Sequence, residues 1–350
     1  MFVIVDGSGL IHTEYHANCP FTPREYEGNE EILNMQIDKD SHGRYVNAIG
    51  GFMRVLMSII EDFNPDYLAV CFDKNRYTTF RRKLFPAYKG NRGPTPEPLV
   101  QQVNNIKKIL TDCGIPILES ETYEADDYAG SLAKRFGSEG EQIYIYTKDR
   151  DYLQLVNSNV RLWLRKANPF DVENLEDKYP NFGFAPEMCF EITEDIVKEE
   201  YGVYPVQIPD LKAISGDTAD NIPGVKGVAD KSAVPLLNEY GNIEGIYAKL
   251  SEYNTPEGRL LLKQIWKEEL GLKRSPIDNL LRDTLSAYMS KQLATIFTSI
   301  NVGKKSDYAF NVDWDVLIRE MNDYGQSIIG ARAAILKSRI DFEKKNIEIL

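Results

Sequence analysis

Histidine is scarce in this 350-residue chain: His12, His16 and His42 are the only three. No pair of them has a ligand or triad setting, so structural roles are expected and Ser-His-Asp chemistry is not signalled. The four cysteines, Cys19, Cys71, Cys113 and Cys189, are scattered and form no C-x-x-C. Neither a zinc site nor a disulfide framework follows; free buried thiols in a reducing compartment are expected. No apolar run approaches the roughly 20 residues of a membrane span. The start, Met1 to Asp6, is apolar for five residues and has no basic flank, so it reads as a first strand and not a signal peptide. A cytoplasmic location without a membrane partner is expected. Net positive charge is lacking too: the formal charge is -12 and the pI about 5.0. That argues against a simple polyanion binder. Gly7-Ser8-Gly9 lacks the third glycine of a dinucleotide loop, because position 12 is His, and reads as a tight turn.

With 43% hydrophobic and 27% charged residues, the composition is that of an ordinary globular protein, long enough for one large domain or two smaller ones. Short apolar runs at 2–6, 67–73, 115–119, 142–147 and 159–164 predict buried parallel strands. Helical periodicity at 47–63, 97–113 and 124–137 lies between them. The alternation predicts an α/β fold with a mainly parallel central sheet flanked by helices. From about 185 the strand signal fades and an α-rich region is expected. Residues 18–44 read as a polar insertion or loop, and the last 40 residues as one or two amphipathic helices. Residues 171–200 carry ten Asp/Glu against two Lys and read as a solvated face.

Against this acidic background, Lys74 to Arg92 holds seven Lys/Arg and no carboxylate. Tyr77, Phe80, Phe85 and Tyr88 interleave with the cations. Charge pairs with phosphate and rings stack on bases, so the run suits a nucleic-acid strand. Around it stand closely spaced acids: Asp6, Asp73, Glu124, Asp126, Asp127, Asp149, Asp151, Asp217 and Asp220. Without these nine the formal charge is only -3. Ligands collect at the carboxyl ends of parallel strands, and Asp6, Asp73 and Asp149 stand at or just past such ends. Glu124, Asp126 and Asp127 open the helix after the third strand. Any one of them could simply cap a turn or helix. Four strand ends aiming acids at one edge is hard to obtain from capping alone, because the charges repel unless a cation neutralises them. Hard oxygen ligands favour Mg²⁺ or Mn²⁺ over zinc.

Gly224-Val225-Lys226-Gly227, between two helical segments, is a helix-hairpin-helix signature. Such a hairpin brings backbone N–H groups close to phosphate and grips a duplex without reading its sequence. Lys226 and Lys231 add charge. Asp217 and Asp220, three apart, could share a metal or cap a turn.

Taken together, several stretches resemble the structure-specific 5′ nucleases: flap endonucleases, phage 5′-exonucleases and the 5′-nuclease domain of bacterial DNA polymerase I. They are Phe72-Asp73, Phe80-Arg81, Tyr88 to Arg92, Pro94 to Glu97, Tyr123 to Asp127, Thr147 to Asp151, Gln154 to Val156 and Gly216 to Gly227, in the family's order and spacing. The resemblance runs over about residues 1–300, weakly at 18–44 and 165–190. It implies a PIN-like nuclease core over 1–184 with a helical arch at about 74–96 and a helix-hairpin-helix region over 185–305; residues 306–350 lie beyond the match and read as a helical tail from their own pattern. The nine acids are implied to hold two Mg²⁺, with Mn²⁺ able to substitute. Lys89 and Arg92, with Arg81 nearby, are implied to act at the scissile phosphate. Tyr88, Arg82, Lys83, Gly224, Val225, Lys226, Gly227 and Lys231 are implied to contact DNA, with K⁺ at the hairpin. The usual Gly-Ile-Gly-x-Lys-Thr is replaced by a run ending Val228-Ala229-Asp230-Lys231-Ser232, a departure at the phosphate and K⁺ contacts.

The resulting expectation is a monomeric, free-standing 5′-3′ exonuclease and flap endonuclease of DNA replication and repair. Its substrates are DNA with 5′ flaps, nicks or RNA-primer ends, and its partners replication proteins such as a separate DNA polymerase. Two other classes are weighed against it. A non-catalytic junction-binding module would have lost acids, and the set is intact. A small-RNA-cleaving or phosphatase-type enzyme would not need the hairpin.

Overall fold

The computed structural model describes residues 1–20, 36–180 and 183–347. Most of the insertion expected at 18–44 falls on 21–35, outside the described residues. Strand β1, Phe2–Asp6, is buried along its whole length. Its neighbours are β2 (Tyr67–Cys71) and β4 (Ile143–Thr147), both parallel to it, with Ile4 opposite Ala69 on one side and Ile145 on the other. The sheet runs β3 (Ile117–Leu118), β2, β1, β4, β5 (Val160–Arg165), β6 (Cys189–Ile192). Only β6 is antiparallel, on the edge.

Successive strand residues point to opposite faces, and both faces here are dry. Phe2, Ile4, Ala69 and Cys71 pack under α5 (Ala125–Gly137), through Ala129, Leu132 and Phe136. Val3, Val5, Leu68 and Val70 pack on the other face against α1 (Gly7–Ala17), α2 (Ile49–Phe63) and α4 (Glu97–Asp112). Burial on two sides is why these strands read as continuous apolar runs and not as alternating ones.

The expected strands are present, and one more is found. Residues 171–200 do not form one solvated face: α6 (Pro169–Lys178) buries nothing, but β6 is wholly buried and α7 (Glu194–Tyr201) buries Ile196 and Val197. Glu191 tolerates burial because Arg161 on β5 pairs with it at 2.5 Å.

Beyond β6 the chain is helical: α8 (Ile208–Ser215), α9 (Asp230–Tyr240), α10 (Ile243–Glu252), α11 (Pro256–Glu269), α12 (Ile277–Arg282) and α13 (Thr284–Ala294). Their apolar residues join the core beneath α5. The last helices, α14 (Trp314–Asp323) and α15 (Ser327–Ile347), return to the opposite side. There Leu317, Met321, Ile329 and Leu336 pack with α2, and the Arg332 guanidinium forks onto Glu61. The cysteines are free thiols, three of them buried. No helix among the described residues is long and apolar enough to cross a membrane.

Candidate active site

Strand β1 runs straight into α1, and its last residue, Asp6, caps that helix by accepting the Gly9 N–H at 2.8 Å. A side chain at position 9 would fall 2.3 Å from the Asp6 carboxylate, so Gly9 is required for this close approach. Asp6 also accepts from the Thr147 hydroxyl at the end of β4, 2.8 Å away, and that hydroxyl in turn accepts the Asp149 N–H. Just past β2, Asp73 accepts the Ala125 N–H at 2.8 Å and donates its own N–H to Ser8. The ends of β1, β2 and β4 and the start of α5 are thus stitched together by their own acids. Burial pushes the Asp6 carboxyl up to about 7 against its two hydrogen bonds, with the Asp149 and Asp73 charges adding to the rise.

Behind this row lies an ion cluster centred on Arg81, which is 1% exposed. Short helix α3 (Phe80–Leu84) carries it inward. All of its N–H groups are used: on Glu124, on both oxygens of Asp127, and on the Leu293 and Thr295 carbonyls at the end of α13. Asp127 is 0% exposed and also accepts the Glu124 and Phe297 N–H groups. Two expectations are corrected here. Arg81 is a buried tie between the sheet and the α-rich region, not a cation open to a phosphate. Asp127 has its oxygens spent on Arg81 and backbone, and has none to give a metal.

Asp126 faces the other way. Its Oδ1 is buried without a hydrogen bond, and the nearest cation, Arg81, is 3.8 Å away. Burial, then the neighbouring Asp127 and Glu124 charges, push its carboxyl well above the usual range despite Arg81. Asp149 is raised as well, chiefly by desolvation, although Lys212 and Lys89 pull against it.

The remaining acids are held by lysines. The segment after α3 turns at Lys89, which takes a left-handed φ of 51°, and crosses to the 217–222 turn. Lys89 N–H donates to the Asp220 carbonyl at 2.8 Å, Asn91 to the Thr218 carbonyl at 2.8 Å, and Asn221 back to the Ala87 carbonyl at 2.7 Å. The Lys89 ammonium sits 2.9 Å from Glu124 and 3.7 Å from Asp220, and Arg92 pairs with Asp220. Burial opposes the Glu124 charge, but Lys89 and Arg81 outweigh it and hold that carboxyl low. On the other flank the Lys212 ammonium bridges Asp151 and Asp217, 2.6 Å from the latter. Sequence reasoning missed Lys212. It is one lysine inside α8, with no motif around it.

Tyr88 is also placed differently from the expectation. It is 3% exposed, and its hydroxyl donates toward Glu124 at 3.1 Å and Asp220 at 3.2 Å, so it cannot stack on a base. Arg82 is half-buried and donates to the Tyr88 carbonyl, while Lys83 is exposed. Four cations, Arg76, Arg82, Lys89 and Arg92, line a cavity of about 230 Å³ together with Tyr77. In the hairpin, Gly224 and Val225 are buried, while Lys226, Gly227 and Lys231 are exposed, as are Ala229 and Asp230. Gly224 has φ 62°, and a side chain on it would meet the Gly216 backbone at 2.4 Å.

Among the described residues no three His, Cys, Asp or Glu side chains already surround one point that could hold an ion. The donor chemistry nevertheless fits a hard divalent cation. Every acid offers oxygen only. Asp6, Asp73 and Asp149 have no ion-pair partner within 4 Å and Asp126 only the long contact to Arg81; all four carry raised carboxyls, and Asp126 leaves one oxygen orphaned. That is where positive charge is missing.

Known proteins share this plan. The N-terminal resolvase-like domain of 5′-3′ exonucleases matches residues 1–180, and the C-terminal SAM fold of 5′-3′ exonucleases matches 203–313. DNA polymerase I of Caldicellulosiruptor bescii is 38% identical over 313 residues, 89% of this chain. The chain spans only 31% of that polymerase's length. A structure of T5 5′-exonuclease with divalent zinc bound shares the fold, with a TM-score of 0.57 at 20% identity over 95% of this chain and 99% of that one. A 5′-3′ exonuclease of Aquifex aeolicus is 36% identical over 243 residues, which cover 69% of this chain and 71% of that protein. With the resolvase-like domain matching more than half of this chain and that relative covered over most of its length, this chain belongs to the 5′-3′ exonuclease family.

Proposed function

We propose that this chain is a divalent-metal-dependent 5′-3′ exonuclease and flap endonuclease that hydrolyses DNA phosphodiester bonds in replication and repair. The observation that carries the reading is the charge imbalance at the sheet edge. Asp126 has an oxygen with no hydrogen bond, and Lys89, whose charge acts on Asp73, lines a pocket with three other cations. Asp6, Asp73, Asp126 and Asp149 would hold Mg²⁺, or Mn²⁺ in its place. Bound there, a pair of such ions would supply a water of lowered pKa and positive charge to offset that of the phosphate. Asp151, Asp217, Asp220 and Glu124 surround this set, and Lys89 and Lys212 hold them until substrate arrives. Lys89 and Arg92 line the cationic cavity and take the phosphate oxygens, exchanging carboxylate partners for phosphate. The products are a 5′-phosphate and a 3′-hydroxyl. Lys226, Gly227 and Lys231 grip the adjoining duplex, with K⁺ at the hairpin as a further expectation. Substrates are 5′ flaps, nicks and RNA-primer ends, chosen by shape. A separate DNA polymerase is the proposed partner, and the chain is proposed to act as a monomer.

A second reading, a junction-binding module that does not cut, is favoured by one observation: Lys89 and Lys212 already neutralise four of the acids. Substitution of Asp126 separates the two. Asp126→Asn should lower cleavage of a saturating flap by about a hundredfold or more while leaving flap affinity within a few fold. Retained cleavage would contradict the metal assignment.

A further inference from the structure

The tip of the 224–227 hairpin is tied to the segment behind it by side chains that the reading above does not use. Lys226 donates its N–H to Asp283 Oδ2 at 2.9 Å. Its carbonyl accepts from Asn279 Nδ2 at 2.7 Å and from Arg282 at 3.1 Å. Arg282 in turn forks onto Asp283, with its Nε 2.8 Å from Oδ1 and a terminal nitrogen 2.7 Å from Oδ2. Two residues earlier, Gly224 donates to the Ser290 hydroxyl at 3.0 Å, and its carbonyl accepts from Ser286 at 2.7 Å. One stretch, the end of α12 and the first turns of α13, therefore holds both backbone groups of Gly224 and of Lys226.

The exposed Lys226–Gly227 tip is otherwise costly to order, at about 1–2 kcal/mol per residue. Phosphate binding by such a loop depends on where its N–H groups point. The sequence Gly-Val-Lys-Gly leaves that direction free, and the latch removes the freedom before DNA arrives. Asp283 also runs against simple charge logic, since it puts a carboxylate beside Lys226 on a surface that must accept phosphate.

We propose that Asn279, Arg282 and Asp283 are positioning residues for duplex binding. They lock the Lys226–Gly227 tip in the conformation that receives the DNA backbone. The proposal rests on the nuclease reading and adds to it a source of duplex affinity outside the hairpin itself.

Latch and charge make opposite predictions. Removing a negative charge should strengthen DNA binding, so a purely electrostatic Asp283 would give Asp283→Ala a lower KM. The latch predicts that KM for a flap substrate rises about tenfold in Asp283→Ala, as for a lost hydrogen bond to a charged group. Arg282→Lys keeps the charge but loses the fork, and is expected to behave the same way. In both variants kcat should stay within twofold of the parent protein. The slope of log KM against log salt should be unchanged, because no phosphate contact is lost. Asp283→Asn, which keeps an acceptor for the Lys226 N–H, should restore part of the affinity. Thermal unfolding checks that each variant folds; if Asp283→Ala does not, Arg282→Lys at a side chain 54% exposed carries the same prediction. An unchanged KM in both variants, or a lowered KM in Asp283→Ala, overturns the latch.

Anisotropy with a blunt duplex reads the latch without any cleavage. Weakened duplex binding in the variants of a protein that never cuts would reject the nuclease reading and keep the latch. Unchanged duplex affinity with normal flap cutting would do the reverse. No duplex binding by the parent protein would reject the latch, and flap cutting alone would then decide the nuclease reading.

Discussion

Asp127 gives both of its oxygens to Arg81 and to the Glu124 and Phe297 amides, while Asp126, one position earlier, has an oxygen with no hydrogen bond. Adjacent helix residues point about 100° apart, and here that rotation separates a buried tie from a candidate metal ligand. Removing the Arg81 cation would strand the buried carboxylates of Asp127 and Glu124. Arg81→Met is therefore expected to cost about 3–5 kcal/mol in urea unfolding, the range for breaking a buried ion pair from one side. A cost under about 1 kcal/mol, the range of a surface pair, would contradict the structural role. The sequence shows Glu-Ala-Asp-Asp as one acidic run. The difference between its members comes from an arginine 46 positions from Asp127, which no local pattern reveals. Tyr88 is similar. In a basic run it reads as a stacking ring, yet Glu124 and Asp220 draw its hydroxyl inward and bury it.

At the scale of elements, the strand ends were legible because buried parallel strands leave short apolar runs and their acids follow at once. Strand β6 was not. It has four residues, lies inside an acidic block, and tolerates Glu191 only through a partner on another strand. The basic segment was legible as chemistry but not as shape: helix α3 accounts for five residues, and the rest turns across to the 217–222 loop. That crossing rests on exposed hydrogen bonds from Asn91 and Asn221 as well as on the Lys89 and Arg92 pairs. Removing both asparagine bonds should loosen the crossing by about 1–3 kcal/mol, taking about 1 ± 0.5 kcal/mol for each bond. The Asn91→Ala/Asn221→Ala protein is expected to show faster amide exchange at 87–90 with little change in its melting temperature. Unchanged exchange would mean that the lysine and arginine pairs and the Lys89 N–H bond to the Asp220 carbonyl hold the crossing without the asparagines.

Among the described residues, two large apolar layers flank one sheet. The layer under α5 continues without a break into the helical region that carries the hairpin. Arg81 joins the same two parts by reaching from α3 to the Leu293 and Thr295 carbonyls. The proposed duplex grip and phosphate chemistry would therefore share one packed frame, which suits an enzyme that measures the distance from a junction to the bond it cuts. Asp6, Asp73, Asp126 and Asp149, the proposed metal ligands, account for -4 of the formal net charge of -12. The most direct measurement is cleavage of a 5′-labelled flap and a matched blunt duplex, each with Mg²⁺ and with EDTA. Cutting near the flap junction in Mg²⁺, and none in EDTA, is the predicted result. Tight flap binding without cutting in either Mg²⁺ or Mn²⁺ would contradict it and leave the junction-binding reading.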